Sequence, residues 1–590
     1  MTQILDELTG DRAPEDGSPP ISRSGHCPSC SCPSLAVGDD DADGRSDNSV
    51  QAPGRKQLAL NQLEEIRKRM LALRAEHNAS LPIHVLPVEI LVMIFISPLT
   101  DWFLGCQDQK WSQTLVQVCS RWRRVALETP ALWTFLTLPN TPAGAIGLFE
   151  RFNEHPLRLF WDDFGRPTVQ SQALLPRIIS KHSLRIVELR ISNHRREGLK
   201  TALNSIAAFS LDAPALRVLE IRPHMTSCEG RLKDLDEHLC KLNAPALESL
   251  TLTFPLSKLL WESCILHSPS LRHLSVGYDG YSGVYSTPRL PNVLDVLRHL
   301  PSLERLRLHA VADGEQGAGE VPVVMNALQE LDLSGTVRYC VNILKNLKFT
   351  TLSYLRIIGR IDEGEDVGEM WQLVDGLFPA QPMLHLDLID DEPHFNIKCG
   401  QTWIDDDGPY PLTIMFEAES PSDILDAFVK LVPRFSRSIT TLSFSGWYPE
   451  SWNEEIDLRR TLAGWSSVQT VFIRYTPATM SFSQAIRTSD QSRDDRPSWI
   501  LPNLTSLTIE IEDGEYDGEG IRWFDLCREE LELRCRSGVR DDNPNPAFKS
   551  ITFIHCTEVS EKDLDHLRMV VPEVKTFPTA SESVNSIGFC

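Results

Sequence analysis

Three kinds of residue pattern in this chain could carry chemistry. His26-Cys27-Pro-Ser-Cys30-Ser-Cys32 offers thiolates and an imidazole in the arrangement of half a zinc site. A closed structural zinc site takes four ligands, normally as two separated pairs, and no second Cys-x-x-Cys occurs in the chain. Asp39-Asp-Asp41-Ala-Asp43-Gly44 opens like a twelve-residue calcium loop. Its twelfth position is Val50, where a bidentate Glu is needed, so the run reads as a solvated acidic stretch. Catalytic patterns are absent as well: there is no Gly-x-Ser-x-Gly, His-Glu-x-x-His or P-loop. Gly317-Ala-Gly319 has Pro322 where a dinucleotide fingerprint needs its third Gly. His273, His309 and His385 lie beside apolar runs without a Cys or Ser nucleophile. No enzyme, metal or cofactor is expected, and the chemistry left is recognition.

The charge balance narrows what is recognised. The chain has 590 residues, 58 Lys+Arg against 81 Asp+Glu, and a formal charge of −23. Phosphate-driven binding of nucleic acid needs a basic face, and attachment to anionic lipid needs a polybasic segment; neither partner is expected. Residues 1–50 carry −7, residues 55–80 carry +3, residues 81–138 are neutral, and the rest is acidic. The most apolar stretch, Ile90 to Ile96, is far shorter than the roughly 20 residues of a membrane helix. The start has no basic region or long apolar core. Fourteen scattered cysteines fit a reducing compartment. A cytoplasmic or nuclear protein that is not secreted is expected.

Residues 1–54 are rich in Ser, Pro, Gly and Asp, a composition that cannot bury enough surface to offset chain entropy. Over residues 55–80, Leu63, Ile66, Met70 and Leu73 recur at helical spacing, with Glu64/Lys68 and Glu65/Arg69 as i,i+4 pairs. The expectation is a helix leaning on the next domain rather than a dimer zipper. Residues 81–138 read as a compact helical module. Leu86-Pro87-Val-Glu-Ile90-Leu91-Val-Met-Ile94-Phe95 opens on Pro, tolerated at a helix start. A second apolar helix over 112–127 carries Leu115, Val118, Cys119, Trp122 and Val125, punctuated by Arg121, Arg123 and Arg124. Thr129-Pro130 stops it before Trp133. That much apolar surface on about 55 residues is more than so small a core needs.

These residues resemble an F-box, and the Thr-Pro-x-Leu-Trp ending resembles the F-box-like proteins of mushroom-forming fungi. The resemblance covers about a tenth of the chain; a Gln107–Trp111 insertion departs from it. It implies binding to a Skp adaptor, and through it a cullin-based ligase, by Leu86, Pro87, Ile90, Leu91, Ile94, Phe95, Val118, Cys119, Trp122 and Trp133.

From residue 184 to about 575 a phrase Leu-x-x-Leu-x-Leu recurs, after a 139–183 segment read as linker and first repeat elements and before a 576–590 tail. Clear copies begin at Leu184, Leu216, Leu247, Leu271, Leu303, Leu328 and Leu352, and degenerate ones at Met383, Ile439, Val468, Leu504 and Phe548. Such self-similarity indicates stacked repeats. The Leu-x-Leu end is a strand with both large side chains on one face, and Leu232, Leu235, Leu239 and Leu242, like Leu294, Leu297 and Leu300, fall at helical spacing between strands. This resembles a leucine-rich-repeat array, though the family's Asn after the strand is mostly absent. The fold class expected is α/β: a short helical F-box module followed by an irregular leucine-rich-repeat solenoid, a distorted horseshoe with long insertions. The residue inside each Leu-x-Leu then lies on the exposed face. Glu220, Thr251, Ser275, Arg307, Asp332, Arg356 and Asp387 are the candidate target-binding residues, continued by Ser443, Phe472, Thr508 and Thr552. The resemblances together imply a substrate-recognition subunit of a Skp–cullin–F-box ubiquitin ligase with an unidentified protein target, or a repeat scaffold without ligase recruitment.

Overall fold

The computed structural model describes residues 52–577, apart from 101–109, 139–150, 163–168, 194–203, 210–211, 224–234, 255–257, 278–289, 310–320, 362–366, 378–384, 392–393, 401–411, 419–437, 446–461, 475–481, 487–499, 511–519, 539–547 and a few single positions. The N-terminal cysteine and aspartate runs, the Gln107–Gln109 spacer and the Asp423–Phe435 helical pattern lie outside these residues. The chain divides into two units, Met1–Phe160 and Trp161–Cys590. Among the described residues no helix is long and apolar enough to cross a membrane.

In the first unit, helix α1 (Ala52–Ser80) ends at a 3-10 turn, Pro82–His84. Its stripe Leu63, Ile66, Met70 and Leu73 is exposed. The expected lean of this stripe on the module is therefore not seen; an extended Leu81 separates the helix from the 3-10 turn. Helix α2 (Val88–Thr100) follows Pro87, whose carbonyl accepts from Leu91 N at 3.1 Å. The single helix expected over 112–127 is in fact two, α3 (Lys110–Val118) and α4 (Ser120–Glu128). Cys119 between them is extended, and its Sγ caps α4 by accepting from Trp122 N at 3.4 Å. Breaking a helix orphans its last carbonyls. Arg123 answers this by donating Nε to Val116 O at 2.7 Å. Leu91, Phe95, Leu115, Val116, Val125, Ala126, Leu132 and Trp133 fill the core of the module. Strand β1 (Phe135–Leu138) follows and pairs with β2 (Leu157–Asp162).

The second unit is a mixed α/β structure. Helix α5 (Val169–His182) leads into β3 (Ile186–Asn193), then β4 (Val218–Pro223), β5 (Ser249–Leu252), the short α6 (Lys258–Trp261), β6 (His273–Gly277), α7 (Leu290–Arg298) and β7 (Arg305–His309). Next come β8 (Val323–Met325), β9 (Glu330–Thr336), α8 (Val337–Asn346), β10 (Leu347–Phe349), β11 (Tyr354–Ile361) and α9 (Gly368–Leu377). The remainder is β12 (His385–Asp391), β13 (His394–Gly400), β14 (Leu412–Ala418), β15 (Thr441–Ser445), β16 (Thr470–Arg474), β17 (Ser506–Glu510), α10 (Gly520–Gly538), β18 (Ser550–Ile554), α11 (Glu561–Arg568) and β19 (Glu573–Phe577).

Each phrase copy places a strand start two residues after its first apolar residue. The copy read at Leu184 is nonetheless out of frame with the others by strand register. Register sets Leu189 against Leu219 and Ile191 against Ile221, so the aligned phrase is Ile186-x-x-Leu189-x-Ile191. Ile186 is buried and Leu184 is 71% exposed. A two-residue shift preserves alternation, so pattern alone could not separate the two frames.

Strands β3 to β7 stack in chain order, all parallel, and β9 and β11 continue the stack. The neighbour of β11 is then β14 rather than β12. β14 and β12 flank an antiparallel β13, and β12 pairs in parallel with β15. The 56-residue gap between phrases thus holds two strands that carry no phrase. Beyond it β15 to β19 run parallel in order.

Two devices hold the stack. Leu189, Leu219, Leu250, Leu274, Leu306, Leu331 and Leu355 are register partners in turn, and all are buried. Each such leucine contributes roughly 1.5–3 kcal/mol of transfer free energy. The backbone interlocks just before each strand. Arg217 O accepts from Glu248 N and Ser249 N at 2.8 and 2.9 Å, and Glu248 O, Arg272 O, Glu304 O and Gln329 O each accept two N–H groups in the same way from the next unit. Side chains of the entry turns add to this interlock. Thr351 Oγ1 lies 2.9 Å from both Asn326 O and Leu328 O, and Asn503 Nδ2 donates to Ser466 O at 2.6 Å. Gly277, at φ +118°, closes β6 where a Cβ would stand 1.9 Å from His309 O. In α10, Arg534 pairs with buried Glu530 at 3.1 Å and donates to the carbonyls of Ile500 and Leu501, which holds Leu501 at φ 53°.

Leu250 and Thr251 are adjacent on β5 and point to opposite faces. Leu250→Ala is expected to lose roughly 2–5 kcal/mol through burial and cavity terms, and Leu306→Ala the same. Thr251→Ala should stay within about half a kcal/mol. Urea midpoints of the single variants measure this; equal losses at Leu250 and Thr251 would contradict a one-sided strand.

Candidate functional site

Alternation along each strand buries the leucine column and leaves a row of middle residues on the opposite face. Strand register links that row residue by residue. Arg190 pairs with Glu220, Glu220 with Thr251, Thr251 with Ser275, Ser275 with Arg307, Arg307 with Asp332 and Asp332 with Arg356. Arg356 continues to Thr413, Lys398 and Asp387. From Asp387 the row reaches Ser443, Phe472, Thr508, Thr552 and Lys575. Every residue singled out inside a Leu-x-Leu therefore lies on one continuous row, and Asp387 is placed there by its backbone pairing.

Four members carried no phrase in the right frame. Arg190 was hidden by the two-residue shift in the first copy. Thr413 and Lys398 sit on β14 and β13, whose alternation of Leu412, Ile414 and Phe416, and of Phe395, Ile397 and Cys399, was a readable strand signal without the phrase. Lys575 sits on β19, which extends past the expected end of the repeats.

The first half of the row is ionic. Arg190 bridges Glu188 at 2.7 Å and Glu220 at 3.6 Å, and Arg222 meets Glu220 at 2.7 Å. Thr251 and Ser275 form an uncharged step. Asp332 then lies between two arginines of the flanking strands, 3.7 Å from Arg307 and 3.6 Å from Arg356. It is only 4% exposed, and its Oδ1 has no hydrogen-bond partner among the described residues. Beside this cluster burial, with Arg305 second, lowers the pKa of His273, and burial raises that of Tyr354. The second half is hydroxyl-rich: Ser443 and Thr508 are buried, and Arg474 pairs with Glu510 at 3.1 Å at the row's margin. Two guanidinium groups, those of Arg307 and Arg356, share one oxygen of the Asp332 carboxylate.

The module's ten sequence-predicted contact residues fall into three groups. Leu91, Phe95 and Trp133 are buried in the core, and Trp133 Nε1 donates to Ala126 O at 2.7 Å. Leu86, Cys119 and Trp122 are half-buried; Trp122 packs its ring 4.9 Å from that of Phe95. Pro87, Ile90, Ile94 and Val118 are exposed. Val88 and Met93, not singled out in the sequence, are exposed beside them. Sequence reasoning also passed over Arg121 as a structural clamp. Its guanidinium donates to Leu86 O at 2.6 Å and to His84 O, tying α4 to the entry of α2.

No protein-family model matches the chain, and no curated protein matches it.

Replacing Asp332 by Ala removes the anion that separates Arg307 from Arg356. The expected loss is about 1–3 kcal/mol, as for a buried charge-assisted contact, whereas Arg307→Ala, at an exposed guanidinium, should cost at most about 1 kcal/mol. Chemical denaturation of both variants checks this, and an Asp332→Ala protein as stable as the parent would refute the cluster's structural weight.

Proposed function

We propose that this chain is the substrate-recognition subunit of a Skp–cullin–F-box ubiquitin ligase: residues 81–138 act as the F-box that binds the Skp adaptor, and the strand stack acts as an irregular leucine-rich-repeat array that holds a target protein. The observation that carries the reading is the division of α2. One side, Leu91 and Phe95, closes a filled core, while Ile90, Met93 and Ile94 remain 41, 66 and 39% exposed. Apolar side chains at i, i+3 and i+4 left uncovered beside a completed core are the stripe a partner helix fills. Val88 and Val118 add to that uncovered apolar set. Contact with the adaptor is assigned to these residues and Pro87; Leu91, Phe95 and Trp133 shape the module from inside.

The target side rests on the continuous row across the stack. Its residues come from strands far apart in sequence yet adjacent in space, so a partner lying along the row reads several at once. Ubiquitin transfer would be carried out by the conjugating enzyme that the cullin brings, and this chain supplies affinity and geometry. A cytoplasmic or nuclear site of action goes with that role.

Ile90→Glu with Ile94→Glu places two carboxylates on the uncovered stripe without touching the core. The double variant is expected to keep its circular dichroism and to lose Skp-adaptor co-purification by tenfold or more. Undiminished co-purification would sink the F-box assignment. A parent chain that captures partner proteins but neither Skp adaptor nor cullin would establish the scaffold reading instead.

A further inference from the structure

Outside the row and the module, one cluster of metal-ligating side chains joins two successive connectors of the stack. His267 ends the 3-10 turn Cys264–His267 before β6, and Asp295 and His299 lie on and just beyond α7, before β7. One nitrogen from each ring and a carboxylate oxygen lie within 4.8 Å of one another. The rings are 5.0 Å apart and inclined at 68°.

A second observation concerns the Nδ1 atom of each ring. His267 Nδ1 lies 2.7 Å from Ser263 O, and His299 Nδ1 lies 2.8 Å from Asp295 O. A carbonyl oxygen only accepts, so in each neutral ring Nδ1 carries the proton and Nε2 keeps its lone pair. Metal-bound histidines are held in this way, with the distal N–H on a carbonyl fixing tautomer and ring orientation. Both histidines use a carbonyl four residues back, so each ring is set by its own turn. From these two observations we propose that His267, Asp295 and His299 form a binding site for a zinc-like divalent cation, with the remaining coordination positions open to solvent.

Two imidazoles and one carboxylate suit a borderline cation such as Zn²⁺, bound at about 2.0–2.2 Å. Ligand atoms in such a shell stand about 3.3 Å apart, so closure from the observed spacing needs a modest movement. Asp295 can supply it, since its side chain is 62% exposed. Its present contact, Arg298 at 3.7 Å, is an exposed pair of the kind a metal displaces easily. A bound cation would pin the connector before β6 to the helix before β7 and so stiffen two neighbouring units against separation.

Titration calorimetry of the full-length chain with ZnCl₂, set against His267→Ala/His299→Ala and Asp295→Asn, tests the site. Thiols elsewhere are common to all three proteins, so the difference isolates this cluster. The double variant should bind one equivalent fewer, and Asp295→Asn should weaken that equivalent by tenfold or more. With Co²⁺ in place of zinc, the variants should lose ligand-field absorption while any thiolate-to-cobalt band is unchanged. Unaltered stoichiometry and affinity would overturn the proposal. Should the double variant fail to fold, the surface substitution Asp295→Asn alone decides it by the same affinity change.

Discussion

Everything in the second unit depends on keeping parallel strands in register at the hydrogen-bonding spacing of roughly 4.8 Å. The carbonyl one residue into the phrase accepts two N–H groups from the next phrase at Arg217, Glu248, Arg272, Glu304 and Gln329, and again at Thr440, Gln469 and Thr505. That interlock fixes which residue faces which, and the leucine column then buries itself without a gap. Each strand satisfies its neighbour's backbone and shares its apolar face, so no repeat could close a core alone. Connector length is freed by the same logic. Successive phrases stand 24 to 56 residues apart, because only the strand and its entry turn meet the next unit in a prescribed way.

The outward row is the other consequence of that register. Residues scattered from Arg190 to Lys575 become neighbours because a parallel stack converts equivalent sequence positions into adjacent spatial ones. Opposite charges on adjoining strands then meet as cross-strand pairs, and Asp332 is shared between the arginines of both its neighbours. The excursion through β12, β13 and β14 obeys the same rule. The chain skips two places, returns antiparallel, and fills them, so the sheet continues although the phrase does not.

The module of the first unit is held differently. Its helices are short and interrupted, which leaves carbonyls exposed at several ends. Arginine side chains close them: Arg123 at the end of α3, and Arg121 at the entry to α2. Arg121 and Arg123 on α4 therefore act as clamps on backbone oxygen, and the apolar stripe of α2 stays uncovered because the core is already complete without it.

By itself the sequence determined the mixed α/β character, the positions of the strands that carry the phrase, and the middle residues those strands give the row from Glu220 to Thr552, because a period-2 phrase repeated many times marks both faces of a strand. The helical module was legible for the same reason, from apolar spacing between two prolines. Three matters only the tertiary structure decided. Alternation survives a two-residue slip, so pairing with β4 alone placed Arg190 rather than Glu188 in the row. The break at Cys119 depended on a long-range fit, since the apolar pattern runs through it unaltered. Which face of α2 is core, and that His267 meets His299, were set by packing between segments distant in sequence, and no local pattern encodes a contact of that kind.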